Sequence, residues 1–136
     1  MLVLDASMTV GWLFDDERTQ SAHDVMRRVV ADGAIVPSLW RLEVANVLHH
    51  AVRRGRCSEA YVDRSLARLA RLAIRRDEET DDHAWAATRT LARKEDLSLY
   101  DAAYLELAIR RRVSLASCDK ALLAAAVRRK VEVFTA

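Results

Sequence analysis

Four acidic residues stand where the elements of this chain begin or end. Asp5 follows the apolar run Leu2-Val3-Leu4. Glu43 opens an amphipathic helix after Val36-Pro37-Ser38-Leu39-Trp40. Asp101 opens another in Ser98-Leu99-Tyr100-Asp101-Ala102-Ala103, and Asp119 follows Val113-Ser114-Leu115-Ala116-Ser117-Cys118. Two of the four come at the carboxyl ends of short apolar strands, the edge where open α/β sheets bind ligands. Carboxylates gathered at one edge repel each other and need a cation. Oxygen donors of this kind select hard ions such as Mg²⁺ or Mn²⁺. The chemistry such a site suits best is metal-dependent cleavage of a phosphodiester.

Each acid also has a plain structural role. Asp5 is a good turn residue ahead of a helix. Glu43 sits where a helix N-terminus favours negative charge, yet it borders a stripe that includes Val47 and so needs a partner. Asn46, one turn on, is placed to bond Glu43 or a metal-bound water. Asp101 can act with Ser98 as a capping box. It is also the first member of a stripe continued by Tyr104, Leu105, Ala108 and Ile109, and an unpaired carboxylate facing inward is costly. Asp119 is a ready N-cap. The case for chemistry is therefore the joint arrangement of the four.

The elements that must position them alternate between short apolar runs and amphipathic helices, which predicts a parallel sheet covered by helices. Strands are expected at Leu2-Val3-Leu4, Ala34-Ile35-Val36, 73–78, 113–117 and 131–134. Ser7 is expected to cap a helix from Met8 to Phe14. Further helices are expected from Arg18 to Ala31, with Ala22, Val25, Met26, Val29 and Val30 on one stripe, and from Leu42 to Arg53, stopped by Gly55. Ser58 is expected to cap a helix running to about Leu72, with Val62, Leu66, Leu69, Ala70 and Ala73 inside. Asp81 or Asp82 is expected to cap a helix with Ala84, Trp85, Thr88, Leu91 and Ala92 on one face. Ser98 opens the helix through Ile109, and a last helix spans 120–129.

The bulk composition fits this picture. The chain has 136 residues, 51% apolar and 31% charged, which suits one globular domain over 1–136. Net charge is only +2, but 19 of the 22 basic residues are Arg. They cluster at Arg53-Arg54-Gly55-Arg56, Arg110-Arg111-Arg112 and Arg128-Arg129-Lys130, either as a phosphate-binding rim or as cations at helix ends. One Pro and three Gly leave no flexible linker. The start lacks a basic, apolar leader, and no apolar run nears the ~18 residues of a membrane span. A cytoplasmic protein with free thiols at Cys57 and Cys118 is expected. His23, His49, His50 and His83 have no ligand spacing. The large apolar groups Trp12, Leu13, Phe14 and Trp40 suit either a helical partner's groove or the core.

Taken together, these stretches resemble the PIN-domain nucleases, and among them the VapC-type toxins of bacterial toxin–antitoxin pairs. The matching segments are Val3-Leu4-Asp5-Ala6-Ser7, the run from Val36 through Glu43 to Leu48, the run from Leu97 through Asp101 to Ala108, and Leu115-Ala116-Ser117-Cys118-Asp119-Lys120. The resemblance implies a PIN-like three-layer sandwich, a parallel sheet of about five strands with helices on both faces. It implies an endoribonuclease dependent on Mg²⁺ or Mn²⁺. Asp5 and Asp101 would be direct ligands, and Glu43 and Asp119 would act directly or through water. Ser7 would orient Asp5 or contact the phosphate. The resemblance further implies a homodimer and a VapB-type antitoxin, with RNA as substrate and no membrane association. A non-catalytic α/β binding module, a PIN-like nuclease for DNA or RNA processing, and a phosphotransfer domain with Asp5 as nucleophile are the competing classes.

Overall fold

A computed structural model describes residues 1–17 and 19–136, with Asp15 described in its backbone only. The elements run β1 (Leu2–Leu4), α1 (Ala6–Leu13), a 3₁₀ turn (Asp15–Glu17), α2 (Gln20–Asp32), β2 (Ala34–Val36), α3 (Trp40–Arg53), α4 (Glu59–Ala70), β3 (Ile74–Arg76), α5 (Thr80–Ala84), α6 (Ala87–Glu95), α7 (Leu99–Arg111), β4 (Ser114–Ala116), α8 (Lys120–Arg128) and β5 (Val133–Phe134).

The five strands form one parallel sheet in the order β3-β2-β1-β4-β5. β1 is central, with Leu2, Val3 and Leu4 all buried, and β2 is buried throughout. Strands covered on both faces need continuous apolar runs, which explains Leu-Val-Leu and Ala-Ile-Val. β3 lies at an edge and exposes Arg75 and Arg76, charges that discourage edge-to-edge pairing. Right-handed crossovers carry the first half of the chain over one face and the second half over the other. Accordingly α1 packs on α2 and α3, while α7 packs on α6 and α8 and against β1 and β4. The chain leaves β1 toward β2 and β3, then returns to β1's other side as β4. The order therefore reverses between β1 and β4, and the crevice beyond their carboxyl ends is the switch point.

Several expectations are corrected. Asp5, not Ser7, occupies the N-cap of α1, which starts at Ala6. Ser7 lies in the first turn, where its hydroxyl is drawn to the Asp5 carboxylate. The expected start of α2 at Arg18 falls outside the described residues. The helix is described from Gln20, capped by Thr19, whose side chain accepts from Ala22 N, and Val30 is exposed. α4 stops at Ala70, and Leu66, Ala70 and Ala73 are exposed rather than inside. The single helix expected after Asp81 is two. Glu79 holds the N-cap of the first, and Ala86 breaks the backbone at ψ −98° before α6. That break rotates Trp85 out of the apolar face and leaves it 91% exposed. Finally, Trp12, Leu13, Phe14 and Trp40 are all core. Trp12 Nε1 donates to Ala22 O at 2.9 Å and Trp40 Nε1 to Thr9 Oγ1 at 3.2 Å. Trp12 and Phe14 are therefore not surface anchors.

Candidate active site

The switch-point crevice is built by four elements. β1 ends at Leu4, one residue before Asp5, and β4 ends at Ala116, three residues before Asp119, so parallel pairing of Leu4 with Ala116 sets the two turns side by side. Asp5 N donates to Ala116 O at 2.9 Å, extending that ladder by one bond. Glu43 enters from the first turn of α3 and Asp101 from the first turn of α7.

Two serines fasten the turns. Ser7 Oγ and Ser117 Oγ each donate to Asp5 Oδ2 at 2.7 Å. Ser117 Oγ also accepts from Asp119 N at 2.9 Å, and Ser7 Oγ from Cys118 N at 3.0 Å. Asp119 caps α8 through Oδ1, which accepts from Leu122 N at 2.9 Å. Ser98 caps α7 by accepting from Asp101 N at 3.0 Å. On α3, Glu43 Oε1 accepts from the buried hydroxyl of Tyr104 at 2.5 Å. Asn46 is exposed, and no hydrogen bond joins it to Glu43 among the described residues.

The acids repel one another. Burial pushes the Asp5 carboxyl above its ordinary range, and the charge of Asp119 adds to this against the two serine bonds. Burial raises Glu43 as well; the Tyr104 bond opposes it, while Asp5 and Asp101 add to it. Asp101 is raised by burial and then by Asp119 and Asp5. Each of the four thus takes part in a repulsion with at least one other, across turns up to 114 positions apart in the chain. Among the described residues, no Lys or Arg pairs with any of them.

Asp77 provides an internal contrast. It follows β3, is 4% exposed, and belongs to the same class of position. Burial raises its carboxyl, but Arg110 at 2.7 Å and Thr80 at 2.9 Å outweigh that and hold it below the ordinary range. Asp77 has a cation; among the described residues, the four acids beyond the sheet have none. The chain's chemistry thus fits a hard divalent ion in donor type and in uncompensated charge. Its geometry is open: among the described residues, no three His, Cys, Asp or Glu side chains converge as a preformed chelate.

The sequence pattern does not single out Ser117 or Tyr104: one ends a strand, and the other is a member of an apolar stripe. Their partners are 112 and 61 positions away. The available signal was Tyr104's place three residues after Asp101 on the same helix face.

A parallel α/β sheet with acidic side chains beyond its switch point is the layout in which open α/β proteins bind ligands. The PIN domain family's sequence model matches residues 2–128, and the chain belongs to that family, one of metal-dependent nucleases. Comparison with curated proteins finds no match. Among solved structures, the fold is similar to the crystal structure of PAE2754 from Pyrobaculum aerophilum. That match has 23% identity and a TM-score of 0.67, covering 91% of this chain and 83% of that one. It is also similar to FitAcB from Neisseria gonorrhoeae, with 18% identity and a TM-score of 0.57, covering 99% and 97%.

Proposed function

We propose that this chain is a Mg²⁺- or Mn²⁺-dependent endoribonuclease, a single nuclease domain over 1–136 acting in the cytoplasm as the toxin of a type II toxin–antitoxin pair. The observation that carries the nuclease reading is the set of four mutually repelling carboxylates, none paired with a cation among the described residues. Asp5 and Asp101 are the direct ligands in this reading; Glu43 and Asp119 act directly or through water. A bound divalent ion supplies an acidified water and offsets the charge of the scissile phosphate. The protein's own contributions are orientation and desolvation. Ser7 and Ser117 fix the Asp5 carboxylate from two elements, and the Asp119 cap holds the fourth acid at the rim. In-line hydrolysis breaks the P–O3′ bond and leaves a 5′-phosphate and a 3′-hydroxyl.

The toxin part of the proposal rests on the resemblance to VapC-type proteins, with a homodimer and a VapB-type antitoxin as the partners. Two apolar grooves flank α4 and suit such a partner. One of about 380 Å³ is lined by Trp40, Val44, Leu66 and Leu69, and one of about 350 Å³ by Trp12, Leu13, Met26 and Leu72. Trp12, Leu13 and Trp40 form walls there. Arg41, Arg68 and Arg71 line the same grooves and offer charge to an acidic partner. The test is induction in a bacterial host. Expression should arrest growth, Asp5→Ala should not, and co-expression of a short neighbouring reading frame should restore growth. Normal growth on high expression of the folded chain counts against the toxin role.

A further inference from the structure

We propose that Tyr104 is a positioning residue for the acidic site, its buried hydroxyl fixing the Glu43 carboxylate so that Oε2 is the oxygen left for the ion or its water. The inference rests on the reading that these acids bind a divalent cation. Glu43 needs such a hold. It is half-buried at the rim, in the first turn of α3, and the charges of Asp5 and Asp101 both act on it. A free glutamate with three rotatable bonds, repelled by two neighbours, gains by swinging toward water. Among the described residues, the Tyr104 hydroxyl is its one side-chain partner.

Tyr104 is built to resist that swing. It is fully buried on α7, one turn beyond Asp101, so the residue that holds Glu43 is set by the same helix that presents Asp101. Its ring packs in the core and cannot follow the carboxylate outward. The direction of the bond is also fixed. At neutral pH an ionised carboxylate only accepts, so the phenol donates. Tyr104 therefore ties the α3 acid to the helix that carries Asp101.

The test is a double-mutant cycle read by Mn²⁺ titration calorimetry on the full chain, with melting in EDTA as the fold control. Tyr104→Phe removes one oxygen and keeps the ring in place. It should weaken Mn²⁺ binding about tenfold, within the span of lost support to a metal ligand. In a Glu43→Gln background, the same change should alter Mn²⁺ affinity less than twofold, because the group it positions is gone. Glu43→Asp, one methylene too short to reach the phenol, should lose affinity to a similar degree as Tyr104→Phe and reports independently if that variant folds poorly. An unchanged Mn²⁺ affinity in Tyr104→Phe, whatever its melting temperature, would make Tyr104 a structural strap and overturn the proposal. An equal loss with and without Glu43 would overturn it too. If the unmodified chain takes up no Mn²⁺, the metal reading itself falls, and this inference with it.

Discussion

At the scale of single residues, the site differs from the rest of the molecule in how each carboxylate is compensated. Asp77 and Glu106 share Arg110, and Glu95 holds both Arg128 and Arg129. Asp5 is given two neutral hydroxyls instead, which orient it without cancelling its charge. Ser117→Ala should therefore cost about 10- to 100-fold in activity or metal affinity, the range for a group supporting a metal ligand. Its melting temperature should move little. Steady-state RNA cleavage beside a melting curve checks this, and full activity in Ser117→Ala would mean that its hydroxyl does not position Asp5. Asp77→Ala should do the opposite. It leaves Arg110 without one of its partners and should cost about 3 kcal/mol of stability, while the folded fraction keeps its activity. Denaturant titration and active-site counting separate the two effects.

At the scale of elements, the short apolar strands and most helices were legible because a parallel sheet buries its strands on both faces and helices carry one apolar stripe. The caps at Ser58, Ser98 and Asp119 could be read from residue type alone. Trp85 could not, since the break at Ala86 is made by backbone geometry and no Gly or Pro marks it. Nor could the bonds that make a site of the four acids, because Ser117 and Tyr104 meet their partners only once the sheet has formed. The element ends also dictate a pH response. Asp5, Glu43 and Asp101 have raised carboxyls, so the folded state binds their protons more tightly than the unfolded chain does. Such groups take stability away as pH rises from the ordinary carboxyl range through the raised values. The paired acids Asp24, Asp77 and Glu95 are lowered, and they take stability away as pH falls below that range. In EDTA, Asp101→Asn should melt higher than the unmodified chain at pH 8, by about 2–4 °C, with the gap closing toward pH 4. Mg²⁺ should reverse the order by stabilising only the chain that binds it. A gap independent of pH and metal would mean that Asp101 is not under repulsion.

At the scale of the whole molecule, a core of apolar strands and helices sets four acids at one edge of the sheet, with no Lys or Arg paired to them among the described residues. Among the described residues, no helix is long and apolar enough to cross a membrane. The burial of Trp12 and Phe14 makes them part of the scaffold. Trp12→Ala should cost about 3–5 kcal/mol of folding stability, seen as a lower midpoint in urea, before any effect on a partner is measurable. The claim that matters most is that the crevice acids hydrolyse RNA with a divalent ion. Its most direct test is cleavage of an end-labelled RNA by equal amounts of the unmodified chain and Asp101→Asn, each with Mn²⁺, with EDTA, and with Mn²⁺ restored. The unmodified chain should give 5′-phosphate products with Mn²⁺ alone or restored, and cleavage should fall at least 100-fold in EDTA or in Asp101→Asn. Cleavage at one rate in all six reactions would contradict it.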